Sequence, residues 1–347
     1  MKYIDDAFHA KLKKSQLRPG DVVTVRTGKP GQTAVVPDWL NSANCSDLVI
    51  TRPGPDLDAR WLSYYLNWVT DSHIAGHLVG AVQQHFNVKS AKGLELLMPC
   101  LIEQQAIAEI LGALDDKITA NGHILRTTLD LADAKFSGAV EGVQLGNKTF
   151  DDLANVDGGG TPKTSVDEYW NGDILWATPT DVTGLDGPYI FSTGRTITQD
   201  GLNSCASKLY PRGSILMTSR ATIGAFALAQ CPIAVNQGFI VVNAKEPAYQ
   251  LWLFHEMRSR VSEFISHANG ATFLELSRGR FKKFKVRVPE IRLVLDFSQE
   301  AEALHALASQ VMAESVKLAK VRDELLPLLM SGKVRVRDAE NVVEGVV

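Results

Sequence analysis

Basic side chains are concentrated in one short segment of this sequence. Six of the ten residues from 278 to 287 are basic and none is acidic: Arg278, Arg280, Lys282, Lys283, Lys285 and Arg287. Such a density suits phosphate neutralisation, because each phosphate contact releases condensed counterions. The alternative is that basic residues on an edge strand only prevent aggregation. The segment predicts a phosphate-contacting surface with Arg278, Arg280, Lys282 and Lys283 as candidate DNA contacts.

Several loops carry side chains of the kinds that recognise bases. Arginine pairs bidentately with guanine, and asparagine or glutamine with adenine, in the major groove of DNA. Such residues occur in the segments Thr218-Ser-Arg-Ala-Thr, Asn236-Gln237 and Arg26-Thr-Gly-Lys, although loops of this composition are common in any protein. The candidate contacts are therefore Arg220, Asn236, Gln237 and Lys163 in the second half of the chain, and Arg26, Lys29 and Lys89 in the first.

The patterns that could indicate a catalytic or metal site each lack residues that such a site requires. The segment Gly158-Gly-Gly-Thr-Pro-Lys-Thr lacks the Gly-Lys-Ser/Thr of a phosphate loop, and Pro162 interrupts it, so a tight turn is the favoured interpretation. His73 and His77 are four residues apart but lack the glutamate of a metalloprotease helix. There is no Gly-x-Ser-x-Gly and no Asn-Pro-Pro-aromatic tetrapeptide. The sequence predicts no catalytic residue, metal or cofactor in this chain.

Composition indicates a globular protein of more than one domain. The chain has 347 residues, 45% of them hydrophobic and 22% charged, with a formal net charge of -3. The charge total is weak evidence against DNA binding, because the local field matters more than the sum. The cysteines form no CxxC pair, and there is no apolar signal core or membrane-length apolar run. We expect a cytoplasmic protein that makes no contact with a membrane.

An internal repeat organises these candidate residues. Glycine and proline matches keep register over about eighty positions, which chance does not readily produce. Their separation falls from 193 residues to 190, as short loop deletions would cause. The pairs are Gly20 with Gly213, Gly31 with Gly224, Asn44 with Asn236, the run beginning at Asp47 with that beginning at Phe239, Gly80-Ala81 with Gly270-Ala271, and Pro99 with Pro289.

Each copy has the same succession of elements. Short β-rich runs separated by glycine and asparagine turns come first. A short amphipathic helix follows, over residues 60–69 in one copy and 249–264 in the other, and a last strand ends in Pro99 or Pro289. Each copy is therefore predicted to be one compact α+β unit.

Beyond each proline the apolar period changes to that of a long helix. One apolar stripe runs from Ile107 to Phe136 and the other from Leu304 to Leu328, with Gly138 and Gly332 as the predicted stops. A helix of roughly 36 residues is about 54 Å long, too long for the interior of a small domain. We expect the two to pair as an antiparallel coiled coil; the alternative is two unrelated helices, each on its own domain.

The chain is therefore divided into five parts, and its two copies are unequal in length. The first copy spans 1–99, the first long spacer helix 100–138, the second copy 139–289, the second spacer helix 290–332, and a tail 333–347. About 44 residues at the front of the first copy are missing, including the counterpart of Leu153 to Asp181. The first copy is thus impaired, or its start is truncated, or another chain completes it.

The order of motifs resembles the specificity subunit of type I restriction-modification systems. The resemblance covers nearly the whole chain and rests on these phrases: Gly158-Gly-Gly-Thr-Pro-Lys-Thr, Tyr169-Trp-Asn-Gly-Asp-Ile-Leu-Trp, Thr218-Ser-Arg-Ala-Thr-Ile-Gly, Ala234-Val-Asn-Gln-Gly-Phe, and Pro99-x-x-x-Glu-Gln-Gln-Ala-Ile-Ala with Leu114-Asp-Asp-Lys-Ile. It implies two target-recognition domains joined by two long antiparallel helices with pseudo-twofold symmetry. The implied partners are double-stranded DNA, modification (methyltransferase) subunits and restriction subunits. S-adenosylmethionine, ATP and Mg²⁺ then belong to those subunits.

Two recognition domains on one spacer predict a bipartite DNA target. The two halves of the target can differ, because the two domains are separate parts of one chain and need not be identical. A helical adaptor without sequence reading is the first competing hypothesis, and salt-sensitive DNA binding would exclude it. The second competing hypothesis is a nuclease with an unrecognised site, and catalytic turnover by the purified chain alone would support it.

Overall fold

The structure, a computed structural model, describes residues 3–77, 88–270 and 274–345. The chain divides into two compact units. Unit 1 combines Met1–Thr119 with Val316–Val347, and unit 2 is Ala120–Ser315. The first repeat copy therefore lies in unit 1 and the second in unit 2, while both long helices contribute residues to each unit. The predicted boundaries at 99, 138, 289 and 332 stay predictions.

The elements up to the first long helix are short apart from α2. In chain order they are α1 (Asp6–Lys11), β1 (Gln16–Leu17), β2 (Val22–Val25), β3 (Thr33–Val35), β4 (Ala43–Asn44), β5 (Leu48–Thr51), α2 (Ala59–His77), α3 (Val88–Lys92) and the long helix α4 (Leu101–Ala139).

The rest of the chain contributes eight strands, seven helices of up to ten residues and a second long helix within the described residues. In chain order they are α5 (Phe150–Leu153), β6 (Ala154–Asp157), β7 (Trp170–Ala177), α6 (Pro179–Thr183), β8 (Tyr189–Ile190), β9 (Thr196–Ile197), α7 (Gln199–Asn203), β10 (Ile215–Thr218), β11 (Phe226–Ala229), β12 (Ile233–Val235), β13 (Phe239–Ala244), α8 (Gln250–Ser259), α9 (Val261–Ser266), α10 (Arg278–Phe281), the long helix α11 (Ile291–Met330) and α12 (Val336–Glu344).

Unit 1 is built on a three-stranded antiparallel sheet of order β3-β2-β5. Val22 on the central strand is fully buried with Trp61 and Leu62 of α2. The same core contains Leu111 from α4 and Leu318 from α11, both fully buried. The small sheet is therefore covered by helices, which supply most of the apolar area that stabilises it.

Unit 2 is a sandwich in which one sheet has a helix on one face and strands on the other. The five-stranded sheet has the order β6-β13-β10-β11-β8. Ile215 and Met217 of β10 pack in the core that contains Trp252 of α8, whereas Leu216 between them packs with Ile233 of β12. This alternation follows from the two-residue period of a strand. The three-stranded sheet β12-β7-β9 thus lies on the face opposite α8.

The two copies share their backbone geometry as well as their sequence pattern. Gly20 and Gly213 have φ values of 81° and 86°, and Gly31 and Gly224 have 95° and 89°. These are left-handed conformations that favour glycine. Each copy also repeats the same hydrogen bonds, such as Gly20 N–H to Val36 O and Gly213 N–H to Ala229 O. The predicted repeat is therefore present in the fold.

The pairing register corrects one part of the sequence comparison. In unit 1, Val25 pairs with Leu48, and in unit 2 its equivalent Thr218 pairs with Phe239. Leu48 is thus the counterpart of Phe239, at a separation of 191 residues, and the match of Asp47 with Phe239 was wrong by one residue. The error arose because two apolar runs align almost equally well one residue apart. The match of Gly80-Ala81 with Gly270-Ala271 includes residues outside the described ones.

Two further expectations about the elements were wrong. Gly138 lies inside α4, and the left-handed glycine beyond that helix is Gly142. Gly332 does follow α11 in a left-handed conformation. The last strands before Pro99 and Pro289 are also absent, since Lys285 makes only an isolated bridge to Thr149. Alternating apolar residues here mark a segment that packs one face on the core without a neighbouring strand.

The long helices are antiparallel, as predicted, within each unit. In unit 2, Lys135 of α4 pairs with Glu300 of α11 at 2.8 Å. In unit 1, Asp115 of α4 pairs with Arg322 of α11 at 2.7 Å and accepts from the Tyr64 hydroxyl at 2.5 Å. The α+β class with two long antiparallel helices is confirmed. Residues 333–347, predicted as a tail, contain α12, whose Ala339 is fully buried in unit 1.

The segment of the second copy that has no counterpart in this sequence of the first copy contains three strands. In unit 2 that segment forms β6, β7 and β8, of which β6 and β8 are the two edges of the five-stranded sheet. In the described part of unit 1, the equivalent three strands β3-β2-β5 have no flanking strand on either side. The shared core of the repeat is therefore the three-stranded sheet with its helix. No described helix is long and apolar enough to span a membrane.

A chain of buried hydrogen bonds joins the sheet of unit 2 to its helices. The Tyr189 hydroxyl is 2.7 Å from Nδ1 of His305, and Nε2 of His305 is 2.9 Å from Nε2 of His255. Nδ1 of His255 is 2.6 Å from Asp133, which also pairs with Arg258 at 2.8 Å. Every bond is satisfied when both imidazoles are neutral, with Tyr189 donating to His305, His305 to His255, and His255 to Asp133.

This chain of bonds should make the stability of the protein depend on pH. Burial lowers the pKa of His305 to about 3 and also lowers the pKa of His255, although Asp133 opposes the second shift. Unfolding restores a pKa of about 6.5 and therefore takes up protons below that pH. The free energy of unfolding should fall as pH drops below about 6.5, by at most about 1.4 kcal/mol per pH unit for each histidine.

Urea unfolding at pH 8, 6 and 5 measures this dependence. His305→Leu should have a shallower slope because one buried imidazole is gone. Equal slopes in the wild type and this variant would contradict the assignment.

Candidate nucleic-acid interface

One open cleft in unit 2 collects several of the predicted residues. Its volume is about 570 Å³, and we call it the Arg220 cleft. It lies where the ends of β6 and β10, the turn before β13 and the start of α10 come together. Of the candidates it brings together Arg220, Gln237, Arg278 and Lys282, with Asp157, Gly159, Ser219, Glu275 and Ser277 also lining it.

Gly159 lines this cleft and belongs to a triple glycine whose backbone passes very close to neighbouring backbone atoms. A Cβ on Gly159 would overlap the carbonyl oxygen of Val235, and a Cβ on Gly160 would lie 2.7 Å from the Ala206 nitrogen. A Cβ on Gly158 would lie 2.9 Å from both the Phe239 carbonyl oxygen and Cδ of Arg278. None of the three has a positive φ. A tight turn does follow at residues 163–166, where the Val166 N–H donates to the Lys163 carbonyl at 3.2 Å, but the glycines themselves are needed for space rather than for a left-handed conformation.

Arg220 is held at the cleft by its neighbours on both the backbone and the side chain. Its Nη2 lies 2.9 Å from Oε1 of Glu275, and both side chains are 45% exposed. Residues 220 and 275 also form an isolated antiparallel bridge. The predicted contact residue therefore has a preferred direction, with its guanidinium still accessible to a ligand.

Asn236 and Gln237 have different surroundings. Oδ1 of Asn236 accepts a hydrogen bond from the Gly238 N–H at 2.8 Å, which closes a local turn. Asn236 does not line the Arg220 cleft. Gln237 is exposed in the cleft, and its Oε1 accepts from the Thr161 hydroxyl at 2.7 Å. Gln237 is thus better placed to contact a ligand there, and Asn236 shapes the turn that presents it.

The basic segment 278–287 is split by the fold into two groups. Arg278 and Lys282 line the cleft, and Lys282 also pairs with Asp151 at 3.0 Å. Arg280 and Lys283 are exposed outside it, where Arg280 donates to the carbonyl oxygen of His267 at 2.8 Å. Lys163 is likewise exposed and does not line the cleft.

Arg287, counted with the basic segment, has a structural partner instead. Its Nη2 lies 2.8 Å from Oε2 of Glu256, whose side chain is fully buried. Arg260, with 8% of its side chain exposed, pairs with the other oxygen of Glu256 at 2.8 Å. The interpretation of Arg287 as part of a phosphate-contacting run is therefore a poor one, because its charge already neutralises a buried carboxylate.

The three candidates in the first copy lie in unit 1. Arg26 and Lys29 are exposed in the loop between β2 and β3, next to Gly28, whose φ is 82°. Lys89 is exposed on the short helix α3. Arg26 and Lys29 thus lie in the loop equivalent to that of Arg220 in unit 2.

Among the cleft residues that sequence reasoning did not name as candidate contacts are Ser219 and Glu275. Ser219 is only 3% exposed, and its carbonyl oxygen accepts from the Leu276 N–H at 2.9 Å. Glu275 lies 55 positions from Arg220 along the chain, so no local pattern could connect them. No described group of three or more His, Cys, Asp or Glu residues could hold a metal ion, and the side chains of His73 and His77 lie outside the described residues.

The residues that form the cleft lie in a segment that matches a known domain family. Residues 143–307 match the model of the type I restriction modification DNA specificity domain. All of the residues that line the Arg220 cleft fall within this match. The matched segment lies within unit 2, and the resemblance predicted from the motifs is confirmed by this match.

Relatives and a solved structure carry the same description. The chain is 36% identical over 144 residues to the specificity subunit of the type I restriction enzyme MjaIX of Methanocaldococcus jannaschii, covering 41% of this chain and 33% of that one. It is 20% identical over 367 residues to the putative type I restriction enzyme MjaX specificity subunit of the same organism, covering 96% and 83%.

A crystal structure of the S subunit of a type I restriction-modification system from M. genitalium has a similar fold. It matches with a TM-score of 0.60 at 16% identity, covering 91% of this chain and 84% of that one. The match to the MjaIX subunit spans only about a third of that relative's length.

Proposed function

We propose that this chain is a sequence-specific DNA-binding specificity subunit. It directs methyltransferase and restriction subunits to a bipartite, asymmetric DNA target. The observation that carries the proposal is the Arg220 cleft, which places Arg220, Gln237, Arg278 and Lys282 together inside the specificity domain. Side chains of the kinds that read bases and that contact phosphates both line it, as direct readout requires.

Charge supports the same proposal despite the net value of -3. Asp157 in the cleft pairs with Lys208 at 2.9 Å, and Glu275 pairs with Arg220, so both acidic groups are compensated. Arg278 has no acidic partner among the described residues. A duplex at this surface would meet a local excess of positive charge, which governs affinity more than the total does.

The division of labour follows from the same role. The chain supplies recognition and has no catalytic residue or cofactor of its own. Methyl transfer from S-adenosylmethionine, and ATP- and Mg²⁺-dependent translocation and cleavage, take place on the partner subunits in the cytoplasm. The loops of unit 1 that hold Arg26 and Lys29 read the second half of the target, with Lys89 as a further contact.

Sequencing of methylated DNA tests this role. Cells that express the modification subunit with this chain should carry methylation at a split motif, and the motif should disappear when this chain is deleted. Arg220→Ala should alter one half of the motif and leave the other half unchanged, because it changes only unit 2. Methylation that is indifferent to the deletion would favour the helical adaptor and contradict a reading role.

A further inference from the structure

Taking the proposed function as given, we infer that Arg220 reads a guanine and that Glu275 is the positioning residue that orients it. The inference concerns one base in the half of the target that unit 2 contacts. It goes beyond the assignment of the cleft, because it gives an acidic side chain a defined role at a surface that binds a polyanion.

The backbone around these two residues is fixed on both sides. The Ala221 N–H donates to the Leu274 carbonyl at 3.1 Å, and the Leu276 N–H donates to the Ser219 carbonyl at 2.9 Å. Residues 219–221 and 274–276 therefore form a short paired ribbon outside the main sheets. The Cα atoms of Arg220 and Glu275 are thus held opposite each other before any ligand binds.

Stability does not account for an acid at this position. An ion pair whose partners are about half exposed contributes about 0–1 kcal/mol to folding. A carboxylate in a cleft that binds phosphates also weakens non-specific affinity for DNA by repulsion. The remaining effect is geometric, since a carboxylate that holds a guanidinium restricts it to one orientation.

The ion pair leaves Arg220 able to read a base. A guanidinium has five N–H donors, and the bond from Nη2 to Oε1 of Glu275 uses one of them. A bidentate contact to O6 and N7 of guanine needs two of the others. Ser219 lines the same cleft, and its hydroxyl is a further hydrogen-bonding group for the ligand.

The backbone conformation of Ala221, the residue after Arg220, also supports a role for this loop in binding. Ala221 has a φ of 58°, in the left-handed region that costs an alanine about 1 kcal/mol or more. The equivalent residue in unit 1 is Gly28, with a φ of 82°. Both loops therefore make the same turn, and in unit 2 the strained turn directly follows Arg220. Strain of this kind is retained where the surroundings determine the geometry.

Competition binding with the full chain and its modification subunits tests the inference. The probes are duplexes in which each base pair of the target is changed in turn. Glu275→Gln should reduce the preference for guanine at one position about ten-fold or more, while binding to unrelated DNA becomes slightly tighter. Arg220→Lys should lose the same preference at the same position, because it keeps the charge but lacks the planar fork. Glu246→Gln removes an exposed charge of the same sign elsewhere in unit 2 and should change no base preference.

The outcomes separate this inference from the proposed function. If Glu275 had a purely structural role, Glu275→Gln would lower the melting temperature and weaken binding to all duplexes in parallel. That result would overturn the inference that Glu275 orients Arg220. An unchanged preference in Glu275→Gln beside an altered one in Arg220→Lys would also overturn it. If the wild-type complex itself showed no sequence preference, the proposed function would fail.

Discussion

Replacing Gly159 with alanine is expected to prevent unit 2 from folding cooperatively. A Cβ at this position would overlap the carbonyl oxygen of Val235, in a backbone that belongs to β12. Val235 is fully buried between two sheets, so neither β12 nor the segment 158–160 can move aside without opening the core. We expect the free energy of unfolding to fall by about 4 kcal/mol or more, which is the range of severe core disruptions. Thermal unfolding followed by circular dichroism measures it.

Gly138→Ala provides the matched control in the same unit. Gly138 lies near the end of α4, is exposed, and has no atom within 4 Å of an added Cβ. Alanine there should raise the free energy of unfolding by about 0.5–1 kcal/mol, because glycine is unfavourable in a helix. A Gly159→Ala protein as stable as Gly138→Ala would show that the two backbones do not cross as described.

Glu256→Ala is the second substitution with a large expected effect. The carboxylate of Glu256 is fully buried and accepts hydrogen bonds from Arg260, from the Arg287 side chain and from the Arg287 backbone N–H. Removing it leaves Arg260, with 8% of its side chain exposed, without its buried partner. Breaking a buried pair on one side costs about 3–5 kcal/mol, and urea unfolding of the variant measures this loss.

Glu263→Ala shows how much of the loss of stability in Glu256→Ala comes from the burial of the carboxylate rather than from its ion pair with Arg260. Glu263 also pairs with Arg260, at 2.7 Å, but 37% of its side chain is exposed. Its loss should cost about 1 kcal/mol or less, because water replaces much of the interaction. Similar losses for both variants would mean that the burial of Glu256 is unimportant for stability.

Periodicity and glycine positions predicted much of the fold from sequence alone. The long helices predicted to follow Pro99 and Pro289 are present and are 39 and 40 residues long. Gly20 and Gly213 adopt nearly equal left-handed conformations, so their match reflected a real constraint on the backbone. Such features depend on neighbouring residues, which is why a single sequence reveals them.

Features that depend on distant residues were harder to predict. The sequence shows Arg220 but not Glu275, and Arg287 but not its buried partner Glu256. A basic residue in a charged run has the same local pattern whether it faces solvent or neutralises a buried acid. Gly159 was likewise interpreted through its neighbours, whereas its role depends on Val235, which is 76 positions away.

The discontinuous composition of unit 1 has a consequence for synthesis on the ribosome. Its core joins Trp61 and Leu111 to Leu318, Leu325 and Met330 near the other end of the chain. The N-terminal residues emerge first, but they cannot complete this core until almost the whole protein has been made. Until then the apolar faces of α2 and α4 stay open to water and to aggregation. The apolar partners of α2 and α4 are thus synthesised last, and removal of residues 318–347 would open the core of the half that was made first.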